Sequence, residues 1–142
     1  MTWNWEEPAW PHFAYDAAAL QPLEAEFLLH SGEFIGAFRH VSQDDQENLR
    51  IDLISDEALN TSEIEGEILD RDSVQSSLRY QFGLAEQQAG VPPAERGIAQ
   101  MMVDLYLNFQ KPLANQTIFG WHKMLMSWDR TVRTIGAYRI HP

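Results

Sequence analysis

The spacing of apolar residues constrains the fold most, because these residues recur every three or four positions along much of the chain. An α-helix has about 3.6 residues per turn, so this spacing gathers side chains on one helical face. The first such stretch is a seam of seven residues: Leu20, Leu23, Phe27, His30, Phe34, Ala37 and Val41. It predicts one long helix to about His40, capped by Asp16 and kinked or delayed at Pro22. His30 is interpreted as a packed core residue, with a ligand role as the alternative.

A second helix is predicted to begin in the acidic stretch SQDDQEN, residues 42–48. Carboxylates there would meet the positive end of the helix macrodipole. The stripe that follows steps by three and four and consists of Ile51, Ile54, Ala58, Thr61, Glu65 and Ile68. Because this stripe can face the seam of the first helix, the two helices are predicted to form an antiparallel pair.

Three shorter helices are predicted in the rest of the chain. The first has Asp70 or Asp72 as its cap and stops at Gly83, a residue type that is common at helix ends. The inward-facing residues of the three are Val74, Leu78 and Phe82, then Ile98, Met101, Met102, Leu105 and Phe109, then Ile118, Trp121, His122, Leu125 and Trp128. On such a stripe His122 is expected to be structural.

Strand-like patterns occur only at Trp3 and Trp5 and in TIGAYRI, residues 134–140. The predicted fold class is therefore all-α, a helical bundle with a long antiparallel helix pair.

The first 15 residues are rich in aromatic side chains, namely Trp3, Trp5, Trp10, Phe13 and Tyr15. Large aromatic surfaces are stable when they lie against other apolar groups. These residues are interpreted as an N-terminal arm across the helices, with an aromatic ligand cage as the alternative.

Charge and composition exclude several classes of function. The formal net charge is −11, so a nucleic-acid backbone or an anionic membrane would be repelled. The chain has no cysteine, which excludes disulfides and thiolate chemistry and fits a reducing cytoplasm. Its five histidines have no close metal-ligand spacing, and no cofactor or metal is expected in this chain.

The segment NTSEIEGEILD, residues 60–70, has two interpretations. Ser62 and Glu65 match a capping box, which would end one helix near Asn60 and begin another. Alternatively the helix is continuous, and Thr61 and Glu65 lie on one face beside Gly66. A carboxylate on that face needs a cationic partner, and a glycine inside a helix suggests that another surface approaches the backbone closely.

The residues Thr61-Ser62-Glu63-Ile64-Glu65-Gly66 resemble the inhibitory motif [S/T]-x-x-x-E-[G/N] of Fic-family protein adenylyltransferases. The Trp-rich start, SSLR, PLANQTIFGWHKML and GAYR resemble one bacterial branch of that family in the same order. The resemblance implies that Glu65 is an inhibitory glutamate, with Thr61 as the hydroxyl position and Gly66 as the glycine of the motif. In the family this glutamate reaches the second arginine of the signature H-P-F-x-[D/E]-G-N-G-R-x-x-R and blocks productive ATP binding.

That signature is not in the sequence, and His141-Pro142 is not assigned to it because GAYR directly precedes it. No catalytic residue is therefore predicted in this chain. The resemblance implies that residues 1–112 form an N-terminal helical regulatory region, with an inhibitory helix at about 44–69, and that residues 113–142 begin a truncated Fic-type core. By itself the chain is expected to lack enzyme activity; ATP and magnesium are expected for a full-length adenylyltransferase parent.

The partners that this interpretation implies are the remainder of the chain's own Fic core and an unknown target protein. Exposed faces of a truncated core would also favour a homo-oligomer. The alternative is a free-standing helical interaction module, or an antitoxin-like inhibitor that acts in trans.

Overall fold

The computed structural model describes residues 2–139. Within this range the chain forms α-helices and one short 3-10 helix, Asn4–Glu6, and no strand, so the all-α fold class is confirmed. The α-helices are α1 (Ala17–Phe38), α2 (Gln43–Ile64), α3 (Arg71–Gln81), α4 (Pro93–Asn108) and α5 (Asn115–Met126). The strand-like pattern at Trp3 and Trp5 corresponds to the 3-10 helix, and residues 134–139 are irregular with one bend at 136–137. Ile140, His141 and Pro142 lie outside the described residues.

The chain divides into two compact units, residues 1–43 and 44–142. This boundary differs from the predicted functional division at residue 112, which stays a prediction. The pairing of α1 with α2 also stays a prediction, since these helices belong to different units.

The first unit contains α1, which begins where the sequence predicts. Asp16 caps it, because its Oδ1 accepts hydrogen bonds from Ala18 N at 3.0 Å and Ala19 N at 3.2 Å. Pro22 lies inside the helix near its start.

The prediction that His30 is buried is wrong: its side chain is 65% exposed and its ring lies 3.1 Å from a Glu33 carboxylate oxygen. No residue of α1 is buried, so the whole seam is exposed and not His30 alone.

The aromatic residues of the first unit contact one another. Trp3 and Trp5 stack with ring centroids 4.8 Å apart, and Trp10 meets Phe13 edge to face at 5.9 Å. All four side chains stay about half exposed or more, so these rings retain much of their apolar surface.

The second unit is built around one apolar core. Its buried members come from α2, α3 and α4: Ile51, Ile54, Ala58, Val74, Leu78, Ile98, Ala99, Met102 and Val103. Burial of a large aliphatic side chain contributes about 1.5–3 kcal/mol, so this cluster is the main stabilising element of the unit. The α2 members Ile51, Ile54 and Ala58 are the first half of the predicted stripe; the second half is exposed.

Helices α4 and α5 approach each other closely at Gly97. A Cβ atom at this position would collide with the backbone carbonyl oxygen of Met124 in α5. Only glycine therefore allows this contact between the two helices. At the far end of the pair, Trp121 Nε1 donates to Asp104 Oδ2 at 2.7 Å.

Candidate functional site

The motif that resembles the Fic inhibitory sequence lies where α2 ends. Ser62 O accepts hydrogen bonds from Glu65 N at 3.1 Å and from Glu67 N at 2.9 Å, and Gly66 N donates to Glu63 O at 2.9 Å. Gly66 has φ = +87°. This pattern is a Schellman motif, in which a left-handed residue ends the helix and satisfies its last carbonyl groups.

Both sequence interpretations of this segment are therefore wrong about its backbone. The helix does not break at Asn60, and no helix begins at Ser62, so the capping box is absent. The helix also does not continue through Glu65: α2 ends at Ile64, short of the predicted limit near residue 69. Among the described residues a Cβ atom on Gly66 would have nothing within 4 Å, so no surface of this chain approaches it there. The positive φ is itself a sufficient reason for glycine, because glycine adopts that conformation without steric cost.

Thr61 and Glu65 take up different environments at this helix end. The Thr61 hydroxyl donates to Glu57 Oε1 at 3.2 Å, one turn earlier in α2. Glu65 is the C-cap, the first residue after the helix, and its side chain is exposed. Within residues 2–139 the Glu65 carboxylate has no hydrogen bond or ion pair. It is therefore available to a partner outside this chain segment.

The electrostatics of this helix end favour a cation. The C-terminus of a helix carries a partial negative charge of about half an elementary charge. Three exposed carboxylates, those of Glu63, Glu65 and Glu67, lie at this end, where like charges add to the unfavourable field. A cationic group bound there would relieve both effects.

The segment that follows the motif is anchored to the core of the second unit. Leu69 packs against the buried cluster, and Asp70 N donates to Glu95 Oε1 at 3.3 Å. Arg71 Nη1 lies 2.6 Å from Asp56 Oδ1, which ties the start of α3 to α2. The turn that carries Glu65 is thus held between α2, which precedes it, and this anchored segment, which follows it.

Helix α3 begins directly after this anchored segment. Asp70 is its N-cap and accepts a hydrogen bond from Ser73 N at 2.9 Å. Hydrogen bonds from the Ser73 side chain and amide hold the pKa of the Asp70 carboxyl below its ordinary value. At the other end Gly83 has φ = +73° and ends α3 with the same motif as Gly66, as the sequence predicts.

A cavity of about 330 Å³ lies beneath the motif segment within the second unit. Ser62, Glu67 and Leu69 form one wall, while α4, the end of α5 and the loop after it form the others. Of the motif residues 61–66, Ser62 alone lines this cavity within the described part of the chain.

Sequence reasoning missed Glu95. This side chain is only 7% exposed, and its Oε2 is buried without a hydrogen-bond partner among the described residues. Its position near the start of α4 looks like an ordinary acidic first turn in the sequence. Nothing in the local pattern signals that the Asp70 amide, 25 positions earlier, would bind it.

The predicted role of His122 agrees with the structure. Its Nδ1 accepts a hydrogen bond from Gly136 N at 2.9 Å, so the ring fixes the segment that follows α5. Among residues 2–139, no three histidine or acidic side chains are grouped so that they could hold a metal ion. No helix in the same range has the length and apolar character needed to cross a membrane.

These features define an all-α protein with an exposed acidic helix end in its second unit. A family model described as a domain of unknown function, DUF4172, matches residues 3–84, more than half of the chain. The protein belongs to that family. No curated protein matches the chain.

Proposed function

We propose that this chain is the N-terminal autoinhibitory part of a Fic-family protein adenylyltransferase, an enzyme that moves AMP from ATP to a hydroxyl of a target protein. In this proposal Glu65 blocks productive ATP binding by pairing with an arginine of the Fic core. Thr61 and Gly66 complete the motif, and ATP and magnesium belong to the core.

One observation carries the proposal: the Glu65 carboxylate is exposed at the end of α2 and has no ion pair within residues 2–139. A carboxylate beside a helix C-terminus is stabilised when a cation binds it, because the cation offsets the negative end of the macrodipole. An arginine of a phosphate-binding loop is such a cation. The paired N–H groups of its guanidinium bind carboxylate and phosphate oxygens in the same way. Glu65 would then occupy the place of a phosphate.

The backbone at the motif supports the same role. The left-handed residue after Glu65 turns the chain away from the helix axis, which leaves the carboxylate at the tip of α2. The motif admits glycine or asparagine at this position, and these are the residue types that helix ends use in the left-handed conformation. The left-handed conformation therefore accounts for the residue type at the last position of the motif, independently of the charge of Glu65.

The test is auto-modification with labelled ATP and magnesium in the natural reading frame that carries this chain. We expect Glu65→Ala to raise incorporation of AMP by about tenfold or more, since a charge-assisted hydrogen bond contributes about 1.5–3 kcal/mol. The matched control is Glu63→Ala, which removes another exposed carboxylate from the same helix end and should leave incorporation at the wild-type level.

Two results would refute the proposal. The first is a reading frame with no H-P-F-x-[D/E]-G-N-G-R signature, which would favour an interaction module or an inhibitor that acts in trans. The second is a Glu65→Ala protein that stays folded by circular dichroism and binds ATP, yet incorporates no more AMP than wild type.

A further inference from the structure

A cavity of about 550 Å³ lies between α5 and the segment that follows it, in the second unit. Its volume falls within the range of about 300–1,000 Å³ that is usual for small-molecule sites. His122, Arg133, Thr134 and Arg139 are among its lining residues, and no carboxylate lines it within the described part of the chain.

The charge of this region is opposite to that of the whole protein. Residues 123–139 contain four basic side chains, Lys123, Arg130, Arg133 and Arg139, and one acid, Asp129, which gives a net charge of 4 − 1 = +3. The whole chain carries −11. A local positive field in an acidic protein attracts anions to one place instead of to the whole surface.

The backbone that carries the two lining arginines is held against α5. Gly136 N donates to His122 Nδ1, and the Tyr138 hydroxyl donates to Asn115 Oδ1, both at 2.9 Å. The Tyr138 ring also meets Phe119 edge to face, with centroids 5.1 Å apart. Arg139 directly follows this second anchor. The backbone of this wall is thus anchored at Gly136 and Tyr138 before any ligand binds, which lowers the entropic cost of binding.

The hydrogen bond to His122 also determines what the imidazole can offer. Because Nδ1 accepts the Gly136 amide proton, the ring proton of the neutral form lies on Nε2. His122 therefore keeps one N–H donor for a ligand in the cavity. Asp129, the nearest acid in sequence, does not line the cavity; its Oδ1 accepts hydrogen bonds from the amide at 2.8 Å and the hydroxyl at 2.7 Å of Thr131, which is a lining residue.

We propose that this cavity binds a phosphoryl group, with Arg133 and Arg139 as its charged ligands and the His122 Nε2–H as a further donor. Two guanidinium forks and an imidazole N–H offer more donors than the two oxygens of a carboxylate can use, whereas a phosphate presents three or four oxygens. The proposal rests on residues of the second unit and is independent of the role of Glu65.

The experiment is isothermal titration of the 142-residue chain with two probes, inorganic phosphate and glucose 6-phosphate. We expect saturable binding of one phosphate probe per chain, with a shift of the His122 imidazole signals in nitrogen-15 NMR. Equal or tighter binding of inorganic phosphate would identify free phosphate as the ligand; tighter binding of glucose 6-phosphate would identify an organic phosphate ester.

Arg133→Gln and Arg139→Gln should each weaken binding by about tenfold or more, because each removes a charge-assisted pair. The matched control is Arg130→Gln, which removes the same charge from the same segment but not from the cavity wall. It should change the affinity by less than about twofold, since exposed charges are screened by salt. Absence of saturable binding for both probes, or equal weakening by all three substitutions, would overturn the proposal.

Discussion

Replacement of Gly66 by alanine tests the helix end on which the Glu65 assignment depends. Gly66 is the left-handed residue of the Schellman motif, with φ = +87°. An alanine in this conformation costs about 1–2 kcal/mol, because its Cβ approaches the following carbonyl oxygen. Since a Cβ at Gly66 would meet no other atom within 4 Å, the backbone is the only source of this cost. We expect the free energy of unfolding of the second unit to fall by about 1 kcal/mol.

The opposite sign is expected if α2 continued through Gly66. In a helix interior alanine is more favourable than glycine by about 0.8–1.0 kcal/mol, so the same substitution would stabilise the protein. The two descriptions of the motif therefore differ by about 2 kcal/mol in this one measurement.

The assay is thermal and urea denaturation of the 142-residue chain, followed by far-ultraviolet circular dichroism. For a unit of roughly 100 residues, a change of 1 kcal/mol shifts the Tm by about 4–8 °C. The loss for Gly66→Ala should therefore be well outside the error of a Tm measurement.

Two control substitutions keep the experiment interpretable. Gly66→Asn should lose less stability than Gly66→Ala, because asparagine tolerates the left-handed conformation. Gly120→Ala lies inside α5, where a Cβ would have nothing within 4 Å, and should stabilise the same unit by up to about 1 kcal/mol. If Gly66→Ala were as stable as wild type while Gly120→Ala behaved as expected, the helix end described above would be refuted.

Two further predictions concern the second unit. Gly97→Ala should destabilise it by about 1–3 kcal/mol in urea denaturation, because the new methyl group would meet the Met124 carbonyl and push α4 from α5; unchanged stability would contradict this contact. Asp70→Ala should lower the Tm at neutral pH, where the capping carboxylate is ionised. The pKa of Asp70 is lowered by Ser73 in the folded state, so the stabilisation is present above the ordinary value of 3.8 and is lost as the pH falls through the folded pKa. A difference between wild type and Asp70→Ala that did not shrink at low pH would contradict this role.

The sequence by itself determined the fold class and several helix ends. Asp16 and Gly83 were predicted from their types and positions alone, and the structure confirms both; of the two caps predicted for α3, Asp70 and Asp72, it selects Asp70. Caps are predictable because they depend on hydrogen bonds between residues two to five positions apart. The apolar period likewise placed Ile51 and Ala58 on the buried face of α2, since a helix repeats its faces every 3.6 residues.

The candidate site was predictable in composition but not in geometry. The residues Thr61, Glu65 and Gly66 were picked out by motif, yet the apolar period continues through Glu65 to Ile68 and conceals the end of α2. A glycine inside a helix costs only about 1 kcal/mol relative to alanine, so a single glycine does not by itself end a helix. Periodicity alone therefore could not place the last turn.

Contacts between distant segments determined where the last turn of α2 ends. Leu69 packs into the core and the Asp70 amide binds the buried Glu95 carboxylate, so the chain must leave the axis of α2 just before them. These contacts join residues up to 25 positions apart, which no local pattern contains. The same holds for His122 and Gly136, whose hydrogen bond brings two arginines to one cavity. Such sites arise from packing between distant segments, because only the assembled core fixes which polar groups meet.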